Sequence, residues 1–437
     1  MIATELWQQF GNLTYQDIPE SSRLVAKQCL LDWMGCAIAG SREPLADILK
    51  AEFAEVGGNC SIIGSNQKTT AQTAALLNGA IGHALDFDDT HTTMGGHPSV
   101  PVAPAVLAMG EQLNVTGEQL LTAYVVGIEV ECRLGVLIGN AHYAKGWHVT
   151  STIGVFGAVA AVSHLMGLSE SQFEHAFGLA ASQASGFKAN FGTMTKPFHA
   201  GHAAERGLLS ARLAKNGFTA HADSFEGSQG MVEAASNGEM DRAGYDQIKD
   251  QWLINDTLFK YNAACYLTHA SIESLKNMGA YSTAENCQSI DLYVNPSLLN
   301  VCGIENPETG LEAKFSLRAN AAMTVNGLDT SDPNTYSDEN LFIPEVQSVL
   351  KRVQVHTDES YTGTQSKVVF HARDGSSQEQ FYDTGIAATD LDMQLAKLEA
   401  KFENLVKPVL GDKCEELKQQ LGTIETAGTI RTILNLF

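Results

Sequence analysis

Residues 148–169 read HVTSTIGVFGAVAAVSHLMGLS, and these 22 residues contain no Asp, Glu, Lys or Arg. A bilayer span needs about 20 predominantly apolar residues. This stretch is too polar for that, because it carries two His and several Ser and Thr. Its many Gly and Ala have small side chains that let helix axes approach closely. The stretch therefore predicts a buried helix in the core of a helical bundle, and we expect no membrane interaction.

The segments on both sides of this stretch have the same helical texture. Apolar residues recur near helical spacing, with many Ala, Gly and Ser among them, which indicates amphipathic or buried helices. The clearest of these segments are 24–34, 70–84, 100–113, 117–137, 154–166 and 173–185. They predict a large all-helical domain over residues 1–265.

The pattern changes at about residue 266. Short runs with period two at 289–294, 353–356, 366–372 and 379–381 predict strands. The last two runs flank a turn-forming run, Arg373-Asp374-Gly375-Ser376. Helical segments near 316–327 and 343–352 interrupt these strands, and the helical period returns after Asp390, with a last helix expected to run to Phe437. The sequence thus predicts a mainly α protein in which a smaller α+β domain, 266–394, interrupts the helical domain, which residues 395–437 rejoin.

The net charge of the chain limits which kinds of molecule the protein can bind. Among 437 residues, Lys and Arg number 28 and Asp and Glu number 50, for a formal net charge of -22. This balance argues against a general basic surface for nucleic acid. An anion would have to bind in a local basic pocket.

The N-terminus has no basic region followed by an apolar one, so we expect no signal peptide. The eight Cys include no CxxC pair and no metal-type spacing with His. We therefore expect reduced thiols in a cytoplasmic protein. No P-loop, GxGxxG after a strand, GxSxG or HExxH motif supports nucleotide, flavin or zinc chemistry. We expect no cofactor and no metal, which leaves acid/base chemistry by side chains.

The densest titratable segment is His83-Ala84-Leu85-Asp86-Phe87-Asp88-Asp89-Thr90-His91, followed by Gly95-Gly96-His97-Pro98-Ser99. Three interpretations are open: a metal site, helix capping by Asp88-Asp89-Thr90, and a metal-free acid/base site. The spacing matches no recognised ligand pattern, so the acid/base interpretation is preferred.

Two further segments carry candidate proton carriers. His148 follows His142-Tyr143 and opens the uncharged stretch, where a helix N-terminus favours a neutral imidazole. A capping or core His is the alternative. Lys196, in Thr193-Met194-Thr195-Lys196-Pro197-Phe198-His199, could bind a carboxylate, act as an acid/base or form a Schiff base. Its alternative is a surface Lys in a loop.

A fourth segment, Glu312-Ala313-Lys314-Phe315-Ser316-Leu317-Arg318, places Arg318 among small and apolar residues. Arg is the usual bidentate partner of a carboxylate. The alternative is an ordinary salt-bridged helix Arg.

Across these segments the sequence resembles the MmgE/PrpD family. The matching stretches occur in the family's order over nearly the whole chain: 83–90, 97–99, 146–148, 195–201, 223–227 and 314–317. The family includes 2-methylcitrate dehydratase, cis-aconitate decarboxylase and iminodisuccinate epimerase. The resemblance implies a small polycarboxylate substrate, no metal or organic cofactor, a helical domain with a smaller lid domain, and a homodimer.

The resemblance also implies site residues in the cleft between the domains. These are Asp86, Thr90, His97, His148 and Lys196, with His269 matching another cleft His. Tyr143 paired with Lys196 resembles the arrangement of the epimerase, in which two opposed bases exchange a proton.

Dehydration, decarboxylation and epimerisation of such acids each develop carbanion character beside a carboxylate, which requires cations and proton carriers. The leading hypothesis is a cofactor-independent lyase of dehydratase or decarboxylase type. In it His97 or His148 carries the proton, while Lys196 and Arg318 anchor carboxylates. The alternatives are an epimerase that uses Tyr143 and Lys196, and a non-catalytic polycarboxylate-binding protein.

Overall fold

The computed structural model describes residues 1–53 and 57–437. About 59% of the chain is helical and 9% is strand, so the protein is mainly α with a smaller α+β part, and the predicted fold class is confirmed. The described chain forms two compact units: a helical unit, Met1–Phe259 with Ala388–Phe437, and a sheet unit, Lys260–Ala387. These boundaries lie a few residues before the predicted ones at 265 and 395.

The helical unit begins with twelve α-helices and a two-stranded ribbon within the described residues. The helices are α1 Ile2–Phe10, α2 Glu20–Gly40, α3 Pro44–Phe53, α4 Ala71–Gly82, α5 Ser99–Leu113, α6 Gly117–Ala144, α7 Val149–Thr152, α8 Gly154–Met166, α9 Glu170–Ala181, α10 Thr195–Lys215, α11 Met231–Ser236 and α12 Arg242–Gln247. The antiparallel ribbon pairs β1 Cys60–Ser61 with β2 Lys68–Thr69.

The uncharged stretch forms α7 and α8 in succession. Its segment Val149–Met166 is long and apolar enough to cross a membrane, but 83% of it is buried inside the protein. The prediction of a buried core helix is therefore confirmed. The preceding helix, α6, extends past the predicted end at Leu137 to Ala144, through a kink at Gly139 with φ 62°, a conformation that Gly adopts at little cost.

Helices α4 and α10 touch backbone to backbone. A Cβ added at Gly201 would lie 2.2 Å from the carbonyl oxygen of Leu76, and one added at Gly79 would lie 2.7 Å from the Cα of Gly201. Neither distance is tolerable, so the two glycines set the separation of the helix axes. Because α10 carries Lys196 and α4 leads into His83, this contact also fixes the two site segments relative to each other.

Gly201→Ala is therefore expected to lower the free energy of unfolding by about 2 kcal/mol, since overpacking costs about 1–3 kcal/mol and outweighs the better helix propensity of Ala. Chemical denaturation measures the change. Gly422→Ala is the control, because a Cβ at Gly422, at the end of a helix, meets nothing within 4 Å. Equal stabilities for the two variants would contradict the close-contact argument.

The sheet unit contains a four-stranded sheet in the order β4-β3-β5-β6. Strand β3 is parallel to β4 and antiparallel to β5, which pairs antiparallel with β6. Its elements in chain order are α13 His269–Met278, β3 Cys287–Val294, α14 Leu299–Cys302, α15 Gly310–Ala313, α16 Leu317–Val325, α17 Asp338–Leu341, α18 Pro344–Leu350, β4 Val353–Thr357, β5 Gln365–Ala372 and β6 Ser377–Asp383. All four predicted strands and both predicted helices are present.

The chain returns to the helical unit through α19 Leu391–Leu410, α20 Lys413–Gly422 and α21 Arg431–Leu434. The expectation of one last helix running to Phe437 is wrong. After Gly422 the backbone turns and pairs with the start of α6: Gly117 N donates to Ala427 O at 2.9 Å, and Ile430 N donates to Val115 O at 3.1 Å. These hydrogen bonds between distant segments take the place of the bonds that a continued helix would make within itself.

Candidate active site

The segment between α4 and α5 is held in a strained turn at Asp86. Asp86 has φ 51°, in the left-handed region, and its backbone N donates to His83 O at 3.1 Å. Such backbone strain is uncommon for a residue other than Gly and is concentrated at functional sites. Because of this turn, the side chains of His83 and Asp86 both belong to the cluster of titratable residues described next.

Three predicted residues meet at the Asp86 carboxylate. Lys196 Nζ lies 2.8 Å and His97 Nε2 lies 3.5 Å from Asp86 Oδ1. The side chains are 9%, 12% and 16% exposed for Lys196, His97 and Asp86. Lys196 belongs to the first turn of α10, so the alternative of a surface loop Lys does not apply. A buried ammonium, an imidazole and a carboxylate thus converge within hydrogen-bonding range.

Asp88 lies behind this group and is fully buried. Its carboxylate is 2.8 Å from His83 Nδ1 and 3.2 Å from His97 Nδ1. Burial by itself raises the pKa of Asp88, but the two imidazoles outweigh it and hold that pKa below its usual range. Burial lowers the pKa of His83 to about 4 despite the nearby carboxylate. Asp88 is therefore an ionised acceptor at neutral pH.

His148 is also buried, and its Nδ1 lies 3.1 Å from His199 Nδ1. Two ring nitrogens at this distance require one donor and one acceptor, so at least one ring is neutral. Burial, followed by the charge of Lys196, lowers the pKa of His148 well below its ordinary value, and burial lowers that of His199 to about 4. His148 is the N-cap residue of α7, and its ring stacks 6.2 Å from that of His83.

Asp89 caps the start of α5, which agrees with the helix-capping interpretation of this segment. Its carboxylate accepts hydrogen bonds from the backbone N and the hydroxyl of Ser99, the first residue of α5. Burial raises the pKa of Asp89 to about 8, so this carboxyl is largely protonated at pH 7. Its backbone carbonyl accepts from His97 Nδ1 at 2.7 Å.

Thr90 and Tyr143 both belong to the helical unit. The Thr90 hydroxyl donates to Gly96 O at 3.2 Å, and the Thr90 backbone pairs with Leu258. Thr90 therefore braces the turn that presents His97. Tyr143, near the end of α6, stacks under Lys188, whose Nζ is 3.4 Å from the ring centre.

The other two predicted residues, His269 and Arg318, belong to the sheet unit. His269 opens α13, is buried, and places Nε2 3.2 Å from Ala264 O. Arg318 on α16 pairs with Glu305 at 3.1 Å, and the Glu305 side chain is 65% exposed. This contact matches the alternative of a salt-bridged helix Arg, and exposed pairs of this kind contribute at most about 1 kcal/mol.

Four side chains of the site could hold a metal ion. Ligand atoms of His83, Asp86, Asp88 and His97 all lie within 4.8 Å of one another. The donor set does not favour a cation, because the Lys196 ammonium already contacts Asp86 and the Asp88 carboxylate already bonds His83 Nδ1. A metal would have to displace these partners.

The structure adds His83, Asp88 and His199 to the residues singled out from the sequence. A sequence signal existed for His199, because it lies three positions after Lys196 and therefore on the same helical face. For His83 and Asp88, only the turn at Asp86 reveals that their side chains meet.

Comparisons with known proteins match both parts of the chain. Residues 5–243 match the MmgE/PrpD N-terminal domain and residues 262–423 match the MmgE/PrpD C-terminal domain. A cis-aconitate decarboxylase of Aspergillus terreus is 28% identical over 387 residues, 82% of this chain and 79% of the relative. The human cis-aconitate decarboxylase is 27% identical over 97% of this chain and 91% of its own length. A cis-aconitate decarboxylase-like protein of Aspergillus oryzae is 31% identical over 63% of this chain and 61% of its own.

The two domain matches together cover most of the chain, in the order of its two units. The chain belongs to the MmgE/PrpD family.

Proposed function

We propose that this protein is a cofactor-independent lyase, of decarboxylase or dehydratase type, that acts on a small di- or tricarboxylate. The observation that supports this proposal best is the convergence of Lys196, His97 and Asp86 with the buried, neutral His148. The relatives, which are named cis-aconitate decarboxylases, support a tricarboxylate as the substrate class.

Each residue of this group has a distinct role in the proposed reaction. Lys196 binds a substrate carboxylate, which shares the ammonium with Asp86. That cation stabilises the carbanion or enolate that forms when carbon dioxide leaves or a proton is removed beside the carboxylate. His97 or His148 delivers or takes up the proton, because the imidazole of His is the most common general acid and base in enzymes.

A substrate screen in deuterated water tests the proposal. The purified protein is incubated with citrate, aconitate, methylcitrate and aspartate-derived acids, and the products are analysed by mass spectrometry. We expect loss of carbon dioxide or of water from at least one acid. Where carbon dioxide is lost, the carbon that takes up the proton should carry deuterium. A heat-denatured sample is the control.

Two other outcomes would contradict the lyase. Deuterium incorporation without loss of carbon dioxide or water indicates the epimerase, with Tyr143 and Lys196 as opposed bases. Binding of these acids without any turnover, measured by calorimetry, indicates the non-catalytic binding protein.

A further inference from the structure

A second cavity of the helical unit is lined by two arginines. Its volume is about 550 Å³, within the range of about 300–1,000 Å³ that is typical of small-molecule sites. Arg212, in the last turn of α10, and Arg431, the first residue of α21, both line it and are half-buried. No Asp or Glu lines it among the residues that the structure describes. In a chain with 50 acidic and 28 basic side chains, this is the kind of local basic pocket that an anion needs.

Both guanidinium groups keep hydrogen-bond donors for a ligand. The Arg212 side chain has no partner within residues 1–53 and 57–437. Arg431 donates from Nε and Nη2 to Glu111 O at 3.1 and 3.0 Å, which leaves three of its five N–H groups. The planar fork of a guanidinium matches the oxygens of a carboxylate or a phosphate.

The acidic residues that approach this cavity have cations of their own. The Glu111 carboxylate is buried and lies 2.8 Å from Lys68 Nζ. Glu205 accepts from the amide of Gln72, which lines the cavity, and pairs with Arg206 at 3.2 Å. The charges of the two cavity arginines are therefore left for a bound anion.

The buried thiol of Cys60 forms part of the cavity wall and is influenced by both arginines. Burial, followed by the charge of Glu111, raises the pKa of Cys60 to about 11, and the charges of Lys68, Arg431 and Arg212 oppose this rise. Both guanidinium groups thus act on the same point of the wall, as expected if one ligand can contact both.

The first turn of α4 also faces the cavity. Thr70, which is the N-cap residue, lines it together with Gln72 and Thr73. The N-terminus of a helix carries partial positive charge and favours anions. The helix terminus therefore adds to the attraction that the two arginines provide.

This cavity is remote from the candidate active site. Arg212 lies sixteen residues after Lys196 on α10, which is about 24 Å along a helix that rises about 1.5 Å per residue. Helix α4 likewise begins at the cavity with Thr70 and ends at His83. The two helices thus have the cavity at one end and the active-site cluster at the other.

We propose that this cavity is a second anion site, which binds a small organic acid with two or more negative charges through Arg212 and Arg431. Its volume is far larger than a chloride or an inorganic phosphate fills, so the ligand has a carbon skeleton. The anionic groups are carboxylates or phosphates, which the two guanidinium forks recognise alike. The inference goes beyond the proposed function, because it concerns other residues.

Isothermal titration calorimetry tests the proposal with citrate as a polycarboxylate and glycerol 3-phosphate as a phosphate ester. We expect saturable binding of at least one of them to the wild-type protein. Arg212→Gln should weaken it by about 10-fold or more, as expected for the loss of a charge-assisted hydrogen bond. Arg212→Lys should give an intermediate loss, since it keeps the charge without the fork. The fold should be unaffected, because the Arg212 side chain has no protein partner to lose within the described residues.

Lys215→Gln is the matched control. Lys215 is exposed, follows Arg212 by three residues on α10, and does not line the cavity. Its removal takes away the same charge from the same end of the helix, so we expect binding close to that of the wild type. Equal weakening by Lys215→Gln and Arg212→Gln would show only a general electrostatic effect and would overturn the site.

A third variant separates the cavity from the active site, where citrate can also bind. Lys196→Met should keep the binding that Arg212→Gln removes. Binding that is lost in Lys196→Met and kept in Arg212→Gln belongs to the active site and overturns the proposal, as does the absence of binding of both compounds.

The two compounds also distinguish the source of the anion. Binding of citrate alone indicates a polycarboxylate and binding of glycerol 3-phosphate alone indicates a phosphate ester, and both results support the site. None of these results depends on turnover, so the lyase proposal is decided separately by the substrate screen.

Discussion

Lys196→Met is expected to reduce turnover of the acid identified by the substrate screen by at least about 10³-fold, since electrostatic stabilisation and proton transfer are each worth about 10²- to 10⁴-fold. The Lys196 ammonium is buried and lies 2.8 Å from Asp86 Oδ1. Without it, the Asp86 carboxylate repels the substrate carboxylate that must bind beside it. Steady-state kinetics measures the loss in kcat/KM.

This variant should keep its fold. Met retains the length of the apolar stem. Asp86 is 16% exposed and keeps His97 as a neighbour at 3.5 Å, whereas the Asp32 partner of Lys401 is fully buried. We expect a melting temperature within a few degrees of the wild type. Lys215→Met, an exposed position in the last turn of the same helix, is the control and should be fully active. Retention of most activity in Lys196→Met would show that the site is placed wrongly.

Lys401→Met is expected to lower the free energy of unfolding by about 3–5 kcal/mol, the cost of removing one partner of a buried ion pair. Lys401 on α19 places Nζ 2.6 Å from Asp32 Oδ1 on α2 and 2.7 Å from Phe87 O. The same ammonium thus ties α19 to α2 and to the loop that contains Asp86 and Asp88. Urea denaturation measures the change.

Lys407→Met is the matched control, because Lys407 is an exposed Lys of the same helix. Exposed positions change stability by about 0.5 kcal/mol or less. A double variant, Asp32→Leu with Lys401→Met, should recover part of the loss because no buried charge is then left without its partner. A Lys401→Met protein as stable as Lys407→Met would refute the argument.

The sequence predicted the elements well because their signals are local. The small-residue segments predicted α4, α5 and α8 within a few residues, and the period-two runs with their turn predicted the hairpin of β5 and β6. The prediction was wrong after Gly422. There the pattern still favoured a helix, but hydrogen bonds to the start of α6 determine the backbone, and no local pattern encodes a partner so distant in the chain.

The sequence also predicted only part of the candidate site. Residue types and spacing were enough to select Asp86, His97, His148 and Lys196, but not to assign their partners. His83, Asp88 and His199 were recognised as site residues only from the structure. Their contacts depend on the left-handed turn at Asp86 and on the helical packing beneath it.

By itself, the sequence determined the helical and strand segments, the mainly α class and the residues able to carry acid/base chemistry, because periodicity and residue chemistry are properties of short segments. Only the tertiary structure decided which of those residues touch and which of them are buried. Contacts and burial come from packing between segments distant in the chain, such as the Gly79–Gly201 contact that brings α4 and α10 together.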